Sequence, residues 1–314
     1  MTTAHPRCLK LSMGVGRGLR LRIVERPGVS LTPEALEALL DDLRSIARTV
    51  LPEGDLEYGV LGGERERLDS SVITVVYDVR SGAPVAFNAM ALMDVALAGR
   101  PLEMVHLGLV MVDPGFRGHG LSELLYGLTC VMLFLRRQCR PVRLSNVTEV
   151  PAIFGMVAET FDDVFPTPER PIDPSFAHRT IARQIMARHR HVFGVGPEAA
   201  FDEDRSVILD SYTGGSDDLK KTFDEAPKHR KEIYNAMCAR ELDYGRGDDF
   251  LQIGQLNMEA LRRYLAKLAG PDSAPFLAIQ LVLFAVQSAI LPVAHWFAAD
   301  QPWGALRPWR NARP

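Results

Sequence analysis

The stretch Val105–Leu125, VHLGLVMVDPGFRGHGLSELL, constrains this chain more than any other. An apolar run, Leu107–Val112, ends at the turn signal Asp113-Pro114, and a glycine-bearing loop, Gly115–Gly120, follows. Leu121, Leu124, Leu125 and Leu128 then recur at helical spacing. The order predicted is strand, turn, helix, with Arg117, Gly118 and Gly120 at the helix start. A helix N-terminus with free N–H groups is a ready anion site, and small residues let a phosphate approach the backbone. The spacing R-x-x-G-x-S (Arg117, Gly120, Ser122) is neither the P-loop nor the dinucleotide G-x-G-x-x-G.

The neighbouring segments fit an α/β arrangement. Val72–Val79 is rich in β-branched residues, Ser81-Gly82-Ala83-Pro84 signals a turn, and Val85–Val95 reads as the second strand of a hairpin. Downstream, Val142–Val147 reads as a short strand and Pro151–Phe161 as a short helix.

On these residues the chain resembles the GNAT superfamily of acyl-CoA N-acyltransferases. Their pyrophosphate loop reads [RQ]-x-x-G-x-[GA] after a strand and a V-x-P turn. Val112-Asp113-Pro114 and Arg117-Gly118-His119-Gly120-Leu121-Ser122 match it, with Ser122 standing where Gly or Ala is usual. The resemblance covers about residues 20–165. It implies an α/β fold, a GNAT-like mixed sheet flanked by helices, and transfer of an acetyl or other acyl group from acyl-CoA to a small-molecule amine. It further implies that the backbone of Arg117, Gly118, His119, Gly120, Leu121 and Ser122 holds the CoA diphosphate. The main chain of Leu109, Val110, Met111 and Val112 would hold the pantetheine as an added strand.

Such a reaction needs a base for the ammonium proton and stabilisation of the departing thiolate. In many relatives a Glu lies on this strand about six residues before the Val of the turn; that position here is His106. Period-two alternation would set His106 on one face with Gly108 and Val110, and an imidazole of ordinary pKa, about 6.5, suits the task. A core histidine with a backbone partner is the alternative, and Glu103 is the nearest other base. The tyrosine that many relatives carry on the later helix is missing from Ala152–Met156. Asn146, at a polar position common in the family, and Glu149 are the candidates to assist the thiolate, with Asn146 as a strand-end cap the other reading.

Bulk properties narrow the class. A chain of 314 residues makes one large or two modest domains. A net charge of -3 argues against a nucleic-acid partner. Cys8, Cys130, Cys139 and Cys238 form no C-x-x-C pair, which fits a reducing compartment and no structural zinc. The basic N-terminus lacks an apolar run of signal-peptide length, so a cytoplasmic location is expected. Phe276–Phe297 carries no Lys, Arg, Asp or Glu over 22 residues. It reads as a buried or homodimer-interface helix, or as a membrane contact with Trp296, Trp303 and Trp309 as anchors.

The expected organisation is a loose start over 1–18, an acyl-CoA-binding domain over 19–165, and a mainly helical extension over 166–314 that shapes substrate or dimerises. Within the first domain, Leu19–Glu25 alternates as a strand, and Thr32-Pro33-Glu34 opens a helix striped by Leu36, Leu39, Leu40, Leu43 and Ile46. The proline-rich Pro166–Pro174 marks the crossing. Beyond it, His178–Val192 reads as a helix, Ser206–Tyr212 as a strand signal, Gly214–Glu241 as a charged helical region and Gly254–Leu268 as an amphipathic helix. Arg188-His189-Arg190-His191 reads as a solvated basic face. The adjacent pairs Asp162-Asp163 and Asp248-Asp249 read as solvated acids. Two rivals to the enzyme reading are a non-catalytic acyl-CoA-binding or regulatory module and a membrane-associated acyltransferase acting on a lipid-like substrate.

Overall fold

The computed structural model describes residues 8–51, 59–137, 139–169, 173–214 and 219–269, together with scattered positions between 282 and 297. In chain order the strands are β1 (Lys10–Gly14), β2 (Leu19–Glu25), β3 (Ser71–Asp78), β4 (Pro84–Leu97), β5 (Arg100–His106), β6 (Val110–Val112), β7 (Val142–Thr148), β8 (Asp162–Phe165), β9 (Ala200–Asp202), β10 (Val207–Leu209) and β11 (Asp249–Leu256). The helices are α1 (Pro27–Ser30), α2 (Pro33–Val50), α3 (Arg65–Asp69), α4 (Leu121–Arg136), α5 (Pro151–Thr160), α6 (Phe176–Arg188), α7 (Glu232–Glu241) and α8 (Met258–Ala269). The strands form one mixed sheet in the order β1-β2-β3-β4-β5-β7-β11-β10-β9, with β6 on β4 and β8 on β11. All described pairings are antiparallel except β5 with β7.

Strand alternation assigns each face its own cover. Ala86, Met90 and Leu92 of β4, with Val72 and Val76 of β3, pack with Leu125, Tyr126 and Leu133 of α4, Val157 of α5 and Leu261 of α8. The opposite face is shared by two helices. Ile73, Val75 and Phe87 meet Leu39, Leu43 and Ile46 of α2, while Met93, Met104, Leu251 and Ile253 meet Ile181 and Ile185 of α6. Helix α2 starts as its sequence predicts: the Thr32 side chain accepts from the Ala35 N–H and Pro33 occupies the first turn.

Several expectations are corrected. Lys10–Gly14 pairs in register with Arg20–Val24, so the start is a strand from residue 10. Only Glu232–Glu241 of the charged 214–241 region is α-helical among the described residues. Asp249–Leu256 is a buried strand, and the amphipathic helix begins after it at Met258. Beyond residue 166 the described residues have more helix than strand, and β9, β10 and β11 extend the same sheet as the first half. His189 and Arg190 are bound rather than solvated: His189 Nε2 meets the Asp94 carbonyl at 2.9 Å, and Arg190 donates to the carbonyls of Gly196, Pro197 and Ala199. The acid pairs are not all solvated either, since Asp248 and Asp249 are buried.

The apolar stretch Phe276–Phe297 lies almost entirely outside the described residues. The large apolar side chains described within it, among them Trp296 and Phe297, are exposed. No helix among the described residues is long and apolar enough to cross a membrane.

Candidate active site

The Leu107–Val112 run is not one continuous strand. Val105 and Leu107 pack on the α4 face, and so do Val110 and Val112, whereas Leu109 and Met111 pack against the α2 cluster. The alternation therefore slips by one residue between Leu107 and Leu109, which is a bulge. Gly108 sits at the slip: a Cβ there would lie 2.3 Å from the Ala89 carbonyl oxygen. The Tyr126 hydroxyl donates to the Gly108 carbonyl at 2.6 Å and ties the bulge to α4.

The bulge splits the sheet. β5 pairs with β7 at Val105–Leu144 and His106–Ser145, and the Leu107 N–H still reaches the Ser145 carbonyl at 2.8 Å. Past that point β6 stays on β4, at Asn88–Val110 through Ala86–Val112, and is not paired with β7. One edge of Leu109–Val112 is thus left beside an opening. The sequence reading of Leu109, Val110, Met111 and Val112 as main-chain contacts falls on this edge, but the predicted common face of His106, Gly108 and Val110 is broken by the slip.

The turn after β6 is built locally. Asp113 accepts from the Gly115 N–H at 2.8 Å, and Pro114 opens a single helical turn to Phe116. Gly118 and Gly120 take φ of +81° and +74°, values that disfavour other side chains, and Gly120 is the N-cap of α4. His119 folds back, with Nδ1 3.1 Å from the carbonyls of Phe116 and Arg117. Arg117, Gly118, His119, Gly120 and Ser122 are exposed, while Leu121 is buried as the first anchor of α4. The exposed first turn of α4 presents N–H groups without intrahelical partners, together with the positive end of the helix dipole.

A cavity of about 870 Å³ opens at the split. It runs along His106–Val110, touches Ser122 and Tyr126 at the start of α4, follows Asn146–Val150 at the end of β7, and ends against Phe193, Ser211, Tyr212 and Asp249. His106 is 3% exposed; its Nδ1 lies 3.1 Å from the Ser145 hydroxyl and its ring centroid 5.1 Å from that of Phe193. Burial drives the imidazolium pKa down to about 4, so the ring is neutral at ordinary pH.

Asn146 and His106 have different surroundings. The Asn146 amide donates to Gln252 Oε1 at 3.1 Å, and Gln252 in turn donates to the carbonyls of Phe154 and Pro166 at 3.2 and 3.3 Å. This buried network joins β7, β11 and α5. Glu149 is 1% exposed, and its Oε1 accepts the Lys221 N–H at 2.6 Å. Burial raises its carboxyl pKa against the pull of Lys221 and the neighbouring Tyr212 hydroxyl. Asp249, 5% exposed, accepts from the Ser211 hydroxyl; burial first, then Glu149 and Asp248, raise its pKa to about 7. Glu103 is not in the cavity lining: Arg26 and Arg137 both bind its carboxylate.

The structure thus brings His106, Asn146 and Glu149 to one cavity. It adds Tyr126, Phe193, Ser211, Tyr212 and Asp249, which sequence reasoning missed. Tyr126 is legible only as a helix-face residue, and the others become neighbours through β11 and the turn after α6. The Asp248-Asp249 pair was visible in the sequence, but without the strand its burial was not.

No family model matches the chain, and no curated protein does. Solved structures similar in part include a ribosomal-protein-S5-alanine acetyltransferase from Vibrio fischeri, at 13% identity and TM-score 0.29 over 43% of this chain and 73% of that one. An aminoglycoside N-acetyltransferase solved with CoA aligns at 15% identity and TM-score 0.26, over 40% and 74% of the two chains. A GNAT family acetyltransferase from Staphylococcus aureus aligns at 16% identity and TM-score 0.25, over 38% and 80%.

Proposed function

We propose that this chain transfers an acyl group from a CoA thioester to an amine held in the cavity. The observation that carries the reading is the split between β6 and β7, which opens beside a helix N-terminus and onto a cavity holding a neutral, buried imidazole. The free edge of β6 fits an extended, amide-bearing arm added as a strand. The turn of Arg117–Ser122 fits a diphosphate.

When bound, acyl-CoA supplies an activated acyl carbon: the amine lone pair forms the C–N bond, and the C–S bond breaks with its electron pair leaving on sulfur. The residues of this chain do the rest. Leu109–Val112 orient the arm through their main chain, and the first turn of α4 holds the diphosphate. Phe193 and the end of β7 wall the cavity from water. His106, with Nδ1 at Ser145, takes the ammonium proton on Nε2. Asn146 acts through Gln252 as a positioning residue that fixes the edge of β7. A thiolate is a fairly good leaving group, so the missing tyrosine on α5 does not prevent the reaction.

The test is calorimetric titration with acetyl-CoA, longer acyl-CoAs and free CoA. Gly120→Glu is a poor control because φ of +74° strains any side chain there. Ser122→Glu is better: an acid in the exposed first turn favours the helix while repelling a diphosphate. Saturable binding in the parent and at least about tenfold weaker binding in Ser122→Glu supports the reading. Absence of binding to all of these ligands would remove it.

A further inference from the structure

We infer that the acceptor is a linear amine bearing a second cationic group, whose distal ammonium sits between Glu149 and Asp249 at the far end of the cavity. The inference rests on the acyl-transfer reading of that cavity for the near end of the amine only.

The register places the two acids together. Thr148 of β7 pairs with Phe250 of β11, so the next residues outward are Glu149 and Asp249. Both side chains are more than nine-tenths buried and both line the cavity. Glu149 Oε1 accepts the Lys221 N–H, the Tyr212 hydroxyl also hydrogen-bonds the Glu149 carboxyl, and Asp249 accepts from the Ser211 hydroxyl. Glu149 Oε2 is buried and accepts no hydrogen bond among the described residues. No arginine or lysine side chain forms a salt bridge with either acid among the described residues; the nearby Arg246 is bound to Asp248 instead. Lys220 and Lys221 pull on Glu149 only at a distance; two neighbouring buried carboxyl groups with no salt-bridged cation among the described residues are costly, and an ammonium with several N–H donors satisfies both charge and the open oxygen.

The same strands align this acid pair with the reacting end. Ser145, the parallel partner of His106, shares a face of β7 with Val147, and Glu149 follows directly after the strand ends at Thr148. Asp249 shares the same side of β11 with Leu251. Glu149 lies four residues on from Ser145, one past the end of β7, at most roughly 13 Å at about 3.3 Å each. Between the two ends Val147 of β7, Val192 and Phe193 supply apolar wall, with Phe193 above His106, while Arg188 and His191 also line the cavity. An amine with an alkyl spacer long enough to cross that distance can set its reacting nitrogen at the neutral His106 and its distal ammonium at the acid pair. A monoamine leaves the acids unpaired.

The experiment is calorimetric titration of the full chain with diaminooctane and with octylamine, which differ only in the second amine, in the absence of any acyl donor. Diaminooctane is expected to bind at least about tenfold more tightly than octylamine. Glu149→Gln and Asp249→Asn, each checked for a native melt, are expected to bring the two amines to within about threefold of one another. Equal affinity for the two amines in the parent chain, or a preference that survives in both variants, overturns the inference. A diamine preference that the variants abolish, in a chain that binds no acyl-CoA, keeps the cation site and removes the acyl-transfer reading. Binding of acyl-CoA that Ser122→Glu weakens, without any diamine preference, does the reverse.

Discussion

At the scale of single residues, burial decides the chemistry of the cavity. His106 was legible from its place six residues before the turn, but its ordinary pKa was not transferable. Full burial lowers it to about 4, and its partner Ser145 is neutral. It is therefore unprotonated across the neutral range and a weaker base than a free imidazole, so its proton transfer is completed only as the C–N bond forms and acidifies the ammonium. His106→Ala is expected to lower kcat/KM by about 10²–10⁴-fold with acyl-CoA binding little changed, read from steady-state rates beside calorimetry. A loss confined to binding would assign the ring to packing. Asp249 has the opposite sign. Its pKa rises from an ordinary 3.8 to about 7, so the folded state holds a proton that the unfolded state has lost. Its contribution to stability is whole below about pH 4 and declines as pH rises toward 7. Asp249→Asn removes that decline. Denaturant unfolding is expected to find the variant close to the parent at pH 4 and more stable by roughly 4 kcal/mol at pH 8. His106 is present in both proteins, so its opposing titration cancels in the difference. Equal offsets at the two pH values would contradict the assignment.

At the scale of elements, two glycines test how the site is assembled. Gly108→Ala forces a Cβ to within 2.3 Å of the Ala89 carbonyl and can be relieved only by undoing the bulge. It is expected to cost about 2 kcal/mol and to weaken acyl-CoA binding together with stability, both read from one preparation. Gly127, inside α4, is the contrasting case. A mid-helix glycine replaced by alanine ordinarily gains about 1 kcal/mol, but here the new Cβ would meet the Tyr264 ring of α8 at 2.0 Å. A lowered melting temperature is expected, and a raised one would mean that α8 does not rest on α4. The strand, turn and helix around Arg117–Ser122, the hairpin of β3 and β4 and the cap of α2 were readable because each is written in local chemistry. The slip at Gly108 was not, because it depends on which face each neighbour finds. The placement of Asp249–Leu256 was not either: Leu251, Ile253 and Gln252 are buried on both faces of one strand, and that leaves no period for a sequence reading to detect. A buried strand running into the amphipathic pattern of α8 was accordingly read as part of the helix.

At the scale of the molecule, the two halves of the sequence meet in one sheet, and this bears on where the chain can be cut. β11 is antiparallel to β7 from Val142–Leu256 to Thr148–Phe250, a ladder along the whole of β7. Phe250, Leu251, Ile253 and Leu256 bury against both faces, and Gln252 completes the Asn146 network. Cutting after Phe165 would bare the long edge of β7, strip α6 from Met93 and Met104, and take Phe193 from His106. Exposing each large apolar side chain costs about 1.5–3 kcal/mol, and several are exposed at once, against a total stability of about 5–15 kcal/mol for a domain. A fragment of residues 1–165 is therefore expected to lack a cooperative melt and to aggregate, although it contains the loop and helix proposed to hold the diphosphate. The measurement is a thermal unfolding curve by circular dichroism with the soluble yield of the fragment beside the full chain. A fragment that melts cooperatively would mean that β7 tolerates an open edge, and that the residues after 165 shape the acceptor end of the cavity without supporting the fold. An unfolded fragment makes the base, the acid pair and the second half of the sheet a single unit, in which no part of the site forms before β11 is in place.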